Sequence, residues 1–195
     1  MIETFLRPPV TATEWAADAV RVLGTVGVVV AGIGWGTVPF WVCALALLGV
    51  YASRFLGLRP GLDVAVGVAL LVAAWSSVLD LYAAIASWDL VVHFAATGLL
   101  AAVFFVLAQR AGVTPAAPTR AAAVVLTTAF GVTAAVVWEI AEWVGHNVVD
   151  PQIYVGYDDT IGDLVAGAVG SIVAGATVSM AAARASAPER ERARL

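Results

Sequence analysis

Three short stretches collect the side-chain types that hold divalent metal ions or move protons. Asp89, His93 and Thr97 stand at i, i+4 and i+8, so on a helix they share one face. Glu139, Glu142 and His146 stand at i, i+3 and i+7 and make a second stripe. The run Asp158-Asp159-Thr160-Ile161-Gly162-Asp163 sets Asp159 and Asp163 one turn apart, and Asp80, with Ser76 a turn before it, is a further contributor. Imidazole and carboxylate are the ligand types of zinc, iron and manganese sites. These groups exceed what one ion coordinates. Either two ions are bound, or some acids orient the imidazoles or act on protons. His93, Glu142, His146, Asp159 and Asp163 are the candidate ligands, with Glu139 and Asp89 as candidate catalytic, proton-handling groups.

Helix capping accounts for part of this pattern. Asp89 beside Trp88, and Asp158 with Asp159, suit helix N-termini, where free amide groups seek acceptors. Capping leaves His93, a turn inside its helix, unexplained. Nor does it place Glu139 and Glu142 near a helix C-terminus, where the dipole disfavours negative charge.

The elements that must position these residues are membrane helices. Of 195 residues, 62% are hydrophobic and only 12% charged, and mean hydropathy is +0.94, far outside the range of soluble domains. A bilayer core needs about 20 apolar residues in a helix. Six such stretches can be drawn, from Ala17 to Ile33, Val38 to Ser53, Leu62 to Leu79, Leu90 to Ala108, Ala121 to Val144 and Thr160 to Ala183. The expected fold is an all-α, polytopic bundle of about six transmembrane helices. It forms one domain over 1–184, with the polar site built by helices within 80–163, and 185–195 is expected to be a disordered cytoplasmic tail.

Arg7, Arg21, Arg54, Arg59, Arg110, Arg120, Arg184, Arg190, Arg192 and Arg194 are all ten basic residues, and each falls at the N-terminus, an even-numbered connection or the C-terminus. The positive-inside rule then makes both termini cytoplasmic. With Glu3 where a basic n-region would stand, the first helix is expected to serve as its own insertion signal. The chain is thus read as a multi-pass cell-membrane protein with its polar site on the extracytoplasmic side. A helical rise of ~1.5 Å per residue sets Glu139 about 10 Å deeper than His146. An ionised acid at the centre of a membrane helix costs roughly 2.5–3.5 kcal/mol, so such groups face a bundle interior or a watery cavity. The outer half carries no Lys or Arg to neutralise them, which leaves metal ions, protons or the two histidines as imidazolium.

Other features have plainer readings. Cys43, the lone cysteine, is an apolar filler, and Trp35, Trp88, Trp143, Tyr154 and Tyr157 suit an interfacial aromatic belt. Gly167, Ser171, Gly175 and Ser179, with Gly162, Ala166, Gly170 and Ala174 on a neighbouring face, let helix backbones approach closely, either inside the bundle or across a homo-oligomer seam. Nucleic acid is excluded as a partner by sparse basic residues and a formal net charge of -4. Gly32, Gly34 and Gly36 follow no strand and read as a hairpin turn rather than a nucleotide loop.

The stretches Trp88-Asp89-Leu90-Val91-Val92-His93, Trp138-Glu139-Ile140-Ala141-Glu142 and Asp158-Asp159-Thr160-Ile161-Gly162-Asp163 resemble the YjdF-like family of membrane proteins, over roughly the last half of the chain. More distantly, Asp and His, then Glu, then paired Asp before a glycine-rich final helix is similar to the VanZ-like family, although Trp143 follows Glu142 where that family usually has glutamine. The resemblance implies that Asp89, His93, Glu139, Glu142, Asp159 and Asp163 act as a unit, and it supplies no substrate.

Three functional classes remain open. One is a metal-dependent hydrolase or transferase acting on a lipid or lipid-linked envelope molecule, with one or two divalent ions of the Zn, Fe or Mn type as cofactor. A second is a divalent-cation or proton-coupled transporter, disfavoured because helices one to three contribute almost nothing polar at mid-depth. The third is a non-catalytic, metal-stabilised scaffold or sensor whose loop from Asn147 to Tyr157 docks a partner or lids the site.

Overall fold

The computed structural model describes residues 2–115 and 117–192, with side chains described for 4–115 and 117–179. Among the described residues all regular structure is helical: α1 (Ile2–Leu6), α2 (Ala12–Trp35), α3 (Thr37–Phe55), α4 (Pro60–Val78), α5 (Leu81–Ala84), α6 (Trp88–Arg110), α7 (Arg120–Val144) and α8 (Tyr157–Arg192), with a π-helical turn, Gly145–Val149, continuing α7. Six segments are long and apolar enough to cross a membrane: α2, α3, α4, α6, α7 with its π turn, and α8 as far as Ser179. Of the expected tail, the backbone through Arg192 continues α8, and residues 193–195 lie outside the described residues. The chain divides into two compact units, Met1–Val92 and His93–Leu195.

In the first unit, α2 begins five residues before the expected Ala17. Thr11 caps it: its hydroxyl accepts from the Glu14 amide while the Glu14 carboxylate accepts from the Thr11 amide. This reciprocal box satisfies amide groups that a helix start otherwise leaves bare. Gly36, at φ +100°, makes the one-residue break between α2 and α3, a conformation that a side chain would strain. The core joins Val28 and Ala31 of α2, Cys43 of α3, and Ala74 and Val78 of α4, with Phe40, Leu47 and Trp75 packed against it. Trp35 meets Trp75 edge-on, with ring centroids 5.9 Å apart. α1 lies on α3, where Phe5 stacks on Phe55 at 4.2 Å.

The second unit is held by backbone approach. A Cβ at Gly170 of α8 would run into the carbonyl of Phe94 on α6, one at Gly131 of α7 into Ser171, and one at Gly175 into the backbone of Val124 on α7. The two small-residue faces of α8 are therefore occupied inside the unit, by α6 and α7. Ser171 is fully buried and returns its hydroxyl to the Gly167 carbonyl at 2.7 Å, so it packs as a small residue with no unmet polar group. Large side chains such as Val125, Val137, Val165 and Val169 point away from the unit, as lipid-facing residues must.

Candidate functional site

The first turns of α6 and α8 carry the convergent polar groups. α6 brings Asp89 and, one turn on along the same helix, His93; α8 brings Asp163 two turns from its start. One ligand atom from each of Asp89, His93 and Asp163 can be chosen so that all three lie within 4.8 Å of one another. The His93 Nε2 is 3.9 Å from the Asp163 Oδ2, with the two side chains only 11% and 2% exposed. Asp163 is therefore a carboxylate removed from solvent, beside an imidazole and a second acid. Asp159, one turn earlier on α8 and half-buried, is within coulombic range of the His93 ring. Two carboxylates and an imidazole at such spacing match the donor set and bite of a divalent first-row metal.

The remaining candidates are placed differently. Glu139 lines a cavity of about 290 Å³ in the second unit, otherwise walled by Val136, Ile140, Trp143, Val155, Thr160 and Leu164. Thr160 and Leu164 stand one turn apart and each directly follows Asp159 or Asp163, so cavity and cluster flank adjacent faces of the same two turns of α8. Glu142 is half-buried on α7 and outside the three-residue group. His146 falls in the π-helical turn, where the α-helical register of Glu139 and Glu142 no longer holds, and its Nδ1 meets the Ile153 carbonyl at 2.6 Å. That contact ties the 147–157 loop back to the end of α7. Asp80 is exposed at φ +54°, where it starts α5, and Ser76 is taken by the Trp88 indole, which donates to its hydroxyl at 2.8 Å. Trp35, Trp143, Tyr154 and Tyr157 are well exposed, as belt residues should be, whereas Trp88 is held by Ser76.

A second polar centre, unforeseen in the sequence, lies in the first unit. Arg21, 5% exposed, donates from Nη2 to both oxygens of Asp63 at 2.5–2.6 Å and from Nη1 to Asp18 at 2.8 Å. Ser53 donates a short hydrogen bond to Asp63 as well. Arg7 pairs with Glu14, and Arg54, 8% exposed, donates to the Phe5 and Arg7 carbonyls. Reading the arginines as topology signals alone was incomplete. Two of them are interior residues, and α2 to α4 do carry buried charge. The available signal was the spacing of Asp18 and Arg21, together with Asp63 as the sole acid of an otherwise apolar segment.

No curated protein and no solved structure matches the chain. A family model does match, over residues 17–184. That span takes in five of the six membrane helices whole and most of α2, together with Arg21, Asp63, Asp89, His93 and Asp163, so the chain belongs to the predicted membrane protein family DUF2238.

Proposed function

We propose that the chain binds a divalent metal through His93 and Asp163 of the second unit, with Asp89 one turn before His93 on α6, at the extracytoplasmic side of the cell membrane, and uses it to hydrolyse or transfer a group on a lipid or lipid-linked molecule. The observation that carries this is the convergence of three ligand-type groups around the buried Asp163 in a stretch of sequence, 60–109 and 121–183, that contains no Lys or Arg. Carboxylates removed from water are costly to ionise, and a bound cation offsets that cost. Placing the site outside follows from the arginine distribution, and the YjdF-like resemblance of the same stretches supports treating them as one unit.

In this reading Asp89 is a ligand, and the proton-handling role falls to Glu139. The apolar cavity that Glu139 lines suits an alkyl chain or isoprenoid, with the polar link of the substrate at the carboxylate. Asp159 lies close enough to hold the His93 ring or to complete the ligand set. The ion would supply Lewis acidity at the polar link. Elemental analysis of detergent-purified protein is expected to find stoichiometric metal in the wild type and little in His93→Ala. Glu139→Ala is expected to keep the metal and lose turnover of a lipid-linked substrate. Metal-free wild-type protein under non-chelating purification would overturn the site. Unchanged turnover in Glu139→Ala would overturn the enzyme reading alone.

One observation favours transport as a second reading. Buried hydroxyls of Thr97, Thr127 and Ser179 stand further along α6, α7 and α8 from the ends that carry Asp89, Glu142 and Asp163, and the Thr127 hydroxyl has no hydrogen-bond partner among the described residues. Metal-dependent flux into proteoliposomes, lost in Thr127→Val, would favour that reading.

A further inference from the structure

The first unit encloses a cavity of about 380 Å³ between α1, the start of α2, the end of α3 and the start of α4, walled by Thr4, Arg7, Glu14, Arg54, Leu58 and Asp63 among others. Its volume is at the lower end of the roughly 300–1,000 Å³ typical of small-molecule sites. Four of these six side chains are ionisable, but their charges are not equally committed. Glu14 accepts from Arg7, from the Val10 and Thr11 amides and from the Thr11 hydroxyl. Asp63 accepts from Arg21 and Ser53. Both carboxylates are thus saturated by donors of the chain itself.

Arg54 is different. Its side chain is more than nine-tenths buried and lines the cavity, yet no carboxylate pairs with it among the described residues. Among the described residues its hydrogen bonds, to the Phe5 and Arg7 carbonyls, use two of the five N–H donors of a guanidinium. A guanidinium cannot shed its proton, and burying it without an anion is costly. Arg7, at the cavity rim and half exposed, adds a second guanidinium on the same wall. Planar donors of this kind match phosphate oxygens in number and direction.

We infer that this cavity is a binding site for a phosphate group, held by the Arg54 guanidinium and assisted by Arg7. The phosphate comes either from a phospholipid headgroup or from a soluble phosphate compound. Arg54 also anchors α1 through the Phe5 and Arg7 carbonyls, so an occupied cavity fastens the N-terminal segment over α3. None of these residues takes part in the metal site, and chelators leave this inference untouched.

The test is thermal unfolding of the full chain in a maltoside detergent, titrated in one arm with inorganic phosphate and in the other with a short-chain phosphatidylglycerol. Saturable stabilisation is expected in at least one arm: in the lipid arm alone for a headgroup site, in both for a site open to soluble phosphate. Arg54→Gln is expected to weaken the apparent affinity about tenfold or more, the loss of one charge-assisted contact. Arg120→Gln, an exposed arginine of the second unit, leaves it unchanged. Should Arg54→Gln fail to fold, Thr4→Trp, which fills the cavity without removing a charge, is expected to abolish saturation. Absence of saturation in both arms, or an equal response in the wild type and Thr4→Trp, would overturn the inference.

Discussion

The two units bury acids of similar chemistry and treat them in opposite ways. In the first, Asp63 is met by Arg21 and Ser53, and Glu14 by Arg7, so neutrality is written into the chain. The second buries Asp163 beside His93 with no arginine in the surrounding stretches. A buried carboxylate is tolerated once a counter-charge exists, whatever its source. The contrast therefore separates a centre neutralised by arginine from one built of imidazole and carboxylate, the donor set on which the proposed metal site rests. The first kind serves architecture. The second is where we propose that a ligand binds.

The largest test of this contrast is in the first unit. Asp63→Ala leaves Arg21 buried without its main partner and is expected to cost about 3–5 kcal/mol of stability, read from thermal or denaturant unfolding in detergent. The double change Arg21→Met with Asp63→Leu, which removes both charges, should recover most of that loss. A harmless Asp63→Ala would mean that the pair does not neutralise the unit. The next test is in the second unit. A metal present at about a hundredfold its dissociation constant stabilises by roughly 2.7 kcal/mol. A chelator should thus lower the unfolding temperature of the wild type and leave that of Asp163→Asn, which buries no charge at that position, unmoved. Equal chelator sensitivity in both proteins would erase the distinction between the units. The smallest effect sharpens the boundary between the centres. Ser76→Ala strips the Trp88 indole of its acceptor at a cost of about 1–3 kcal/mol, with no change in metal content. A fall in metal content would show that Trp88 helps to hold Asp89.

Much of this architecture is written plainly in the residues. Six helices follow from apolar runs whose length matches a bilayer, because a segment in lipid must satisfy its own backbone. Asp89 and His93 fall together because four residues make nearly one helical turn, and Asp163 joins them on the strength of side-chain type alone. Local periodicity fails at His146, since the stripe with Glu139 and Glu142 assumes α-helical register through a point where the helix widens into a π turn. Spacing was silent on Arg21 with Asp63, forty-two residues apart and brought together only by packing of α2 against α4. Arg21 already had a local explanation as a topology signal.

Gly170 gives the metal reading a mechanical side. Any atom added at its Cα strikes the Phe94 carbonyl, and Phe94 is the neighbour of His93 in sequence. The helices that carry His93 and Asp163 are thereby in main-chain contact beside the pair. In the proposed metal site a side chain at Gly170 would therefore part the two ligand-bearing backbones, as one at Gly175 would part α8 from α7.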